Sequence, residues 1–145
     1  MNADSPAPDC AYTKLRRLTR CVAHHFDMEL AEAGLKTTQL GLLSEILRLQ
    51  PVRPGELARA VGIDPSTLTR NLKPLMAAGW VELGAGHDAR TRMIRITDIG
   101  RTKQAHAQRR FRMAQRSMDE KLGPRRIIEL KALMDESLDI LASPQ

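Results

Sequence analysis

The sequence predicts a mainly α fold, about six helices with one two-stranded hairpin, and three observations carry that prediction. Apolar residues recur at intervals of three and four through most of the chain. Glycine and proline interrupt that rhythm at a few points, and strict apolar–polar alternation is confined to the stretch around residues 80–96. The 145 residues are 42% hydrophobic, enough for one compact domain with its own core.

The first helix covers residues 9–33, where Leu15, Leu18, Val22, Phe26 and Leu30 form one stripe and Gly34 ends it. A second starts with Thr37 as N-cap and carries Leu40, Leu43, Ile46 and Leu47. It stops at Gln50-Pro51, because the residue before a proline is pushed out of helical geometry. Near the C-terminus, Ala107, Phe111, Ala114, Met118 and Leu122 share one face over residues 100–122. Gly123-Pro124 breaks that helix, and Ile127, Leu130, Met134, Leu138 and Leu141 mark a last one from Arg125 to about Leu141. A chain this small has little interior for three such stripes. Residues 9–33 and 101–142 are therefore expected to bury apolar surface in a homodimer.

The middle of the chain reads PGELARAVGIDPSTLTRNLKPLMAAG over residues 54–79. A short helix carries Leu57, Ala58 and Val61, Gly62 supplies a turn that needs positive φ, and Ile63 returns to the core. Asp64 is a good N-cap, and Pro65 suits the first helical position because its missing N–H would be unpaired there. Leu68, Leu72 and Leu75 then supply a buried face. Two short helices joined through a glycine turn make a helix-turn-helix, whose second helix can enter a DNA major groove. On the outward side, Ser66, Thr67 and Thr69 suit bases or phosphates, Asn71 suits adenine, and Arg70 suits guanine or phosphate. Lys73 suits phosphate. Pro74 removes the hydrogen bond to the carbonyl of Arg70, so the helix is expected to kink or end there while its first turns survive.

Trp80-Val81-Glu82-Leu83 reads as a strand and Met93-Ile94-Arg95-Ile96 as its partner, with GAGHDARTR between them and Thr97 or Asp98 capping the next helix. Helix-turn-helix followed at once by a hairpin is a winged helix, here residues 36–100. Arg90 at the hairpin tip is the expected minor-groove probe, since a narrow groove concentrates negative potential, and Arg92 is expected on phosphate. Asp88 would repel DNA if it faced the backbone. It is therefore expected to turn inward and position the wing, by orienting an arginine or capping the turn.

Charge agrees with this reading. The net charge is +6, but residues 34–123 hold 16 basic against 8 acidic side chains, whereas residues 1–33 hold 4 and 5 and residues 124–145 hold 3 and 4. A basic middle points to a polyanion. Only Tyr12, Phe26, Trp80 and Phe111 are aromatic, so the stacking platforms used on single strands are missing and double-stranded DNA is the expected partner.

With these residues in view, the chain resembles the MarR (multiple antibiotic resistance regulator) family of winged-helix transcription factors over residues 10–142. The resemblance rests on GLKTTQLGLL at 34–43, ELARAVGIDPSTLTRNLKPLMAAGWVE at 56–82 and DARTRMIRITDIGR at 88–101. The family's wing signature, Asp-x-Arg then a strand and Thr-x-x-Gly, matches Asp88, Arg90, Thr97 and Gly100. The resemblance implies a homodimer built on the terminal helices that represses genes from a pseudo-palindromic operator. It also implies release by a small-molecule effector, bound between the dimer helices and the winged helix. The position after Leu35, often threonine in the family, is Lys36 here, which is why the N-cap is set at Thr37.

Other chemistry is weaker. Cys10 and Cys21 are the redox candidates, and a thiol-switched regulator is one alternative function. On a continuous helix they stand about 16 Å apart, too far for an internal disulfide unless the helix starts after Cys10. Cys21, His24 and His25 with Asp27 and Glu29 hint at a metal, but no second pair of ligands is visible, so no metal and no cofactor are expected. There is no phosphate-cradling glycine loop, no HExxH and no nucleophile elbow, so no enzyme is expected. A sequence-neutral architectural DNA-binding protein and a protein-interaction module that ignores DNA are the remaining alternatives. MNADSPAPDC has neither a basic n-region nor an apolar h-region. Residues 1–8 read as a disordered tail before a single domain over 9–145, and the expected location is the cytoplasm, with no membrane partner.

Overall fold

The structure, a computed structural model, describes residues 9–88 and 90–143; the tail expected at 1–8 lies outside them. Six helices and one hairpin follow in order: α1 (Ala11–Ala31), α2 (Thr37–Leu49), α3 (Pro54–Val61), α4 (Pro65–Ala77), β1 (Val81–Ala85), β2 (Arg92–Ile96), α5 (Asp98–Leu122) and α6 (Pro124–Ala142). Leu30 of α1, Leu43 and Ile46 of α2, Leu57 of α3, Leu68 and Leu75 of α4 and Ile94 of β2 are all essentially inaccessible to solvent. They form one core under the helix-turn-helix and the wing. Burying each of these side chains contributes about 1.5–3 kcal/mol, so this cluster fixes the relative positions of α2, α3 and α4.

One local expectation needs correction, and of the two outcomes expected at Pro74 one is removed. The N-cap of α2 is Lys36, in extended geometry, and Thr37 is its first helical residue. Thr37 is drawn inward because its N–H and its hydroxyl both donate to Oδ1 of Asp27 on α1, at 2.9 Å each. A carboxylate from another helix thus does the capping that the sequence pattern assigned to Thr37 itself. In α4, Pro74 does not end the helix, which runs on to Ala77. Leu72 and Leu75 flank it in the core at 5% and 0% exposure, and their burial offsets the roughly 3 kcal/mol that an internal proline costs.

The wing is longer than expected, β1 reaching Ala85 and β2 starting at Arg92, with Val81 paired to Ile96 and Ala85 to Arg92. Trp80 stays outside the strand and packs, half-buried, on the core. Thr97 caps α5, accepting from Gly100 N–H at 3.0 Å and donating from its hydroxyl to Gly79 O at 2.6 Å. Gly100 must lack a side chain, because a Cβ there would stand 2.0 Å from the Trp80 carbonyl oxygen. Lys103, one turn on, donates to Ala33 O at 2.8 Å and sits 5.3 Å from the Trp80 ring centre. These contacts lock the base of the wing to the long helix behind it.

The terminal helices are only partly covered. Phe26 and Leu30 of α1 are buried, but Leu15 and Leu18 are exposed, and in α6 only Ile127 is buried. Leu138 and Leu141 are 64% and 83% exposed, far more than apolar residues of a packed helix tolerate.

Candidate nucleic-acid interface

The first turn of α4 is built around Asp64, which has the extended geometry of an N-cap. Its carboxylate accepts from Thr67 N–H at 2.9 Å, from the Thr67 hydroxyl at 2.7 Å and from the Ser66 hydroxyl. The Ser66 and Thr67 hydroxyls, with the Thr67 amide behind them, hold the Asp64 carboxyl far below the usual carboxylate range. Thr67 Oγ1 also accepts from Arg70 Nη2 at 3.3 Å, and the Thr69 hydroxyl donates to Pro65 O at 3.0 Å.

This bonding sorts the expected readers. Each hydroxyl has one proton to give, and those of Ser66, Thr67 and Thr69 are already given within the helix. Toward a ligand they are acceptors. Thr67 is further committed, since it holds the guanidinium of Arg70. Arg70, Asn71 and Lys73 keep donors directed to solvent, and all three are exposed. By the helical period, Ser66, Thr69, Arg70 and Lys73 lie opposite the buried Leu68, Leu72 and Leu75, with Asn71 on the flank. Proline at position 74 leaves Lys73 on that face.

At the wing tip, Asp88 Oδ1 accepts from Arg90 N–H at 2.9 Å and from the amide and hydroxyl of Thr91 at 2.8 Å each. The Thr91 hydroxyl and then the Arg90 and Thr91 amides hold the Asp88 carboxyl below its usual range, and the Arg53 guanidinium adds to this. Of the two roles expected for Asp88, it takes the second: it caps the turn and bonds no arginine side chain among the described residues. The Arg90 side chain is left exposed at the tip. Arg92 lies in the ladder opposite Ala85, and its Nη2 reaches Leu83 O at 3.4 Å.

Two residues went unnoticed in the sequence. Arg53 is exposed at the N-cap of α3 and acts electrostatically on Asp88, so it belongs to the same basic edge as the wing. Gln50 bonds the wing strand directly, its Oε1 accepting from Ile96 N–H at 3.1 Å. The run Gln50-Pro51-Val52-Arg53 reads as a plain connector, and no local pattern marks it as a neighbour of residues 88–96.

The other candidates are separated. Cys10 caps α1, its sulfur accepting from Thr13 N–H at 3.4 Å and sharing a hydrogen bond with the Thr13 hydroxyl at 3.1 Å, which lowers its thiol. Helix α1 does begin after Cys10, yet the intervening turns keep Cys21 about 16 Å away, and both thiols are free. His25 bonds Ala114 O through Nε2 at 2.9 Å, packed edge-on against Phe26. Among the described residues, no three His, Cys, Asp or Glu side chains are grouped to hold a metal, and no helix is long and apolar enough to cross a membrane. An apolar groove of about 740 Å³ runs between α1, α5 and α6, lined by Leu15, Leu18, Val22, Met118, Leu130 and Met134.

Known proteins match this architecture. The sequence model of the MarR family matches residues 33–91. A Bacillus subtilis protein described as the uncharacterized HTH-type transcriptional regulator YwoH is 25% identical over 84 residues, a match spanning 58% of this chain and 61% of that protein. The M. tuberculosis transcriptional regulator MosR, solved in complex with DNA, is 30% identical with a TM-score of 0.68, covering 91% of this chain and 98% of that one. A variant of E. coli MarR complexed with operator DNA has the same fold at 22% identity, with a TM-score of 0.74 over 92% of this chain and 99% of that one. A relative at 30% identity along nearly its whole length, and a family match across the helix-turn-helix, establish that the chain belongs to the MarR family of winged-helix regulators.

Proposed function

We propose that this protein is a transcriptional repressor, not an enzyme, which binds a pseudo-palindromic operator in double-stranded DNA as a homodimer in the cytoplasm. The observation that carries the reading is the pairing of two pre-ordered cationic elements on one domain. Helix α4 presents Arg70, Asn71 and Lys73 around a first turn locked by Asp64, and the wing presents Arg90 and Arg92 around a tip locked by Asp88. Helix α4 enters the major groove, where Arg70 and Asn71 read base edges, Ser66 and Thr69 accept from base amino groups, and Lys73 meets phosphate. Thr67 steadies Arg70. Arg90 reaches the flanking minor groove and Arg92 meets phosphate. MosR in complex with DNA supports the partner class.

The uncovered apolar faces of α1 and α6 support the dimer, and the groove they enclose with α5 lies in that interface. Two-fold symmetry then sets the half-sites about 10 base pairs apart, one helical turn. A small-molecule effector that loosens the dimer geometry would release the operator, as the family resemblance implies.

The test is a titration of a labelled duplex carrying the inverted repeat upstream of the gene, at two salt concentrations and against unrelated duplex. If a dimer neutralises roughly 6–10 phosphates, affinity falls about 10³–10⁵-fold between 50 and 200 mM salt. Preference for the inverted repeat should be about 10³-fold or more. Equal affinity for both duplexes would make the protein an architectural one, and no binding at low salt would make it an interaction module.

A further inference from the structure

The wing strand β2 has two edges, and only one faces β1. Thr97 N–H reaches Trp80 O and Gly86 N–H reaches Thr91 O, so the odd-numbered rungs of β2 bond toward β1. The amides of Ile94 and Ile96 therefore point the other way. Ile94 is met there by Val52, which gives and receives one backbone bond at 3.1 and 2.8 Å. In an antiparallel ladder the next rung after Val52–Ile94 pairs residue 50 with residue 96. Residue 50 cannot fill that rung with its backbone, because it closes α2 and its own N–H is spent on Ile46 O at 2.9 Å. Its side chain fills the rung, Oε1 taking the place of the missing backbone carbonyl at 3.1 Å from Ile96 N–H.

We infer that Gln50 is a positioning residue for the wing: its side-chain amide completes the outer edge of β2 and so sets the direction in which Arg90 leaves the domain. The inference rests on the reading of the wing as a DNA contact. The geometry needs such a part. The tip is rigid within itself through Asp88, but a rigid hairpin still pivots about its base. The backbone of β2 is bonded along its inner edge by β1 and, among the described residues, along its outer edge by Val52 and Gln50. Thr97 and Lys103 tie its foot to the chain behind. Val52 is a backbone contact that any residue makes, whereas the Gln50 bond depends on the side chain. Left unpaired in this buried strand, the Ile96 amide costs about 1–3 kcal/mol, a penalty relieved only by a shift of β2 that moves the hairpin with it.

The experiment is a double-mutant cycle on a fluorescein-labelled duplex selected by the wild-type protein from a random pool. Gln50→Met removes the acceptor at nearly constant shape. Arg90→Ala should weaken binding roughly tenfold, in the range of a single arginine contact. Gln50→Met should weaken binding by a similar factor, and the double variant should be no weaker than Arg90→Ala alone, because Gln50 acts through Arg90. Amide exchange should quicken at Ile96 and stay slow at Ile94. Multiplying losses in the double variant, or unchanged binding in Gln50→Met with Ile96 deprotected, would overturn the inference. Gln50→Glu keeps an oxygen in the same place, so Ile96 should stay protected and the Arg90→Ala effect should keep its full size. Loss of that effect in the Glu variant would also overturn it, whether or not the Met variant folds. If Arg90→Ala alone changes nothing, the wing reading itself fails and the inference falls with it.

Discussion

Asp64 and Asp88 do the same work at two places: each carboxylate accepts from N–H and hydroxyl groups of the residues two and three positions further on, and so orders the turn from which cationic side chains project. That role was legible in the sequence for Asp64, because an N-cap is a local pattern before Pro65. For Asp88 only the oddity of an acid in a basic loop was legible, and the structure decides between its two expected uses. Asp88→Ala should loosen the tip and weaken binding to the operator duplex several-fold in a fluorescence titration. A clear gain in affinity would show the acid to be a repulsive surface charge. Both carboxyls are held below the usual range, so their stabilising contribution is complete above about pH 4, the ordinary carboxylate region, and fades as pH falls below it. Wild type and Asp64→Ala should therefore differ in Tm by a constant amount from pH 5 to 8 and converge below pH 4. A gap that changes between pH 5 and 8 would rule this out.

Helices and strands were legible wherever the physics is local. The stripes of α1, α5 and α6, the Gly62 turn with φ at +74° and the Thr97 cap all follow from residues within a few positions of one another. Misreadings arose where a distant group intervened. Asp27 supplies the cap that Thr37 lacks, and the burial of Leu72 and Leu75 carries α4 through Pro74. The second case predicts a gain. Pro74→Ala restores an N–H to bond the carbonyl of Arg70 and removes the ring's clash with that carbonyl, together worth about 3 kcal/mol, less up to about 1 kcal/mol for the freer unfolded chain. Net stabilisation of about 2–3 kcal/mol should appear as a raised midpoint in urea. A lowered midpoint would mean that the proline's ring, not its neighbours, holds the last turn in place.

At the scale of the whole molecule, the apolar residues that α1 and α6 leave in solvent are the strongest sign that one chain is half of the working unit. Leu138 is 64% exposed, so Leu138→Glu should leave the subunit fold intact while placing a charge in the dimer interface. Sedimentation should then show monomers at concentrations where the wild type is a dimer, with operator affinity lost in parallel. A Leu138→Glu protein that remains dimeric would move the interface elsewhere. The same scale governs the cysteines. Helix α1, with Cys10 as its N-cap, keeps Cys10 and Cys21 too far apart for a disulfide within one subunit.

The sequence by itself determined the element order, the capped second helix of the helix-turn-helix, the basic hairpin and the excess of apolar surface at the two ends. These depend on periodicity, on glycine and proline geometry and on composition, all of which act between near neighbours. Only the tertiary structure decided what braces the wing. Gln50 and Val52 meet β2, Lys103 meets Ala33 and Trp80, and Arg53 meets the field of Asp88 across dozens of intervening residues. Such contacts have no signature in a local pattern, because they exist only after the core has closed and set the distances between elements. The residues of the proposed DNA-binding surface were legible in the chain, and the contacts that brace the wing came only with folding.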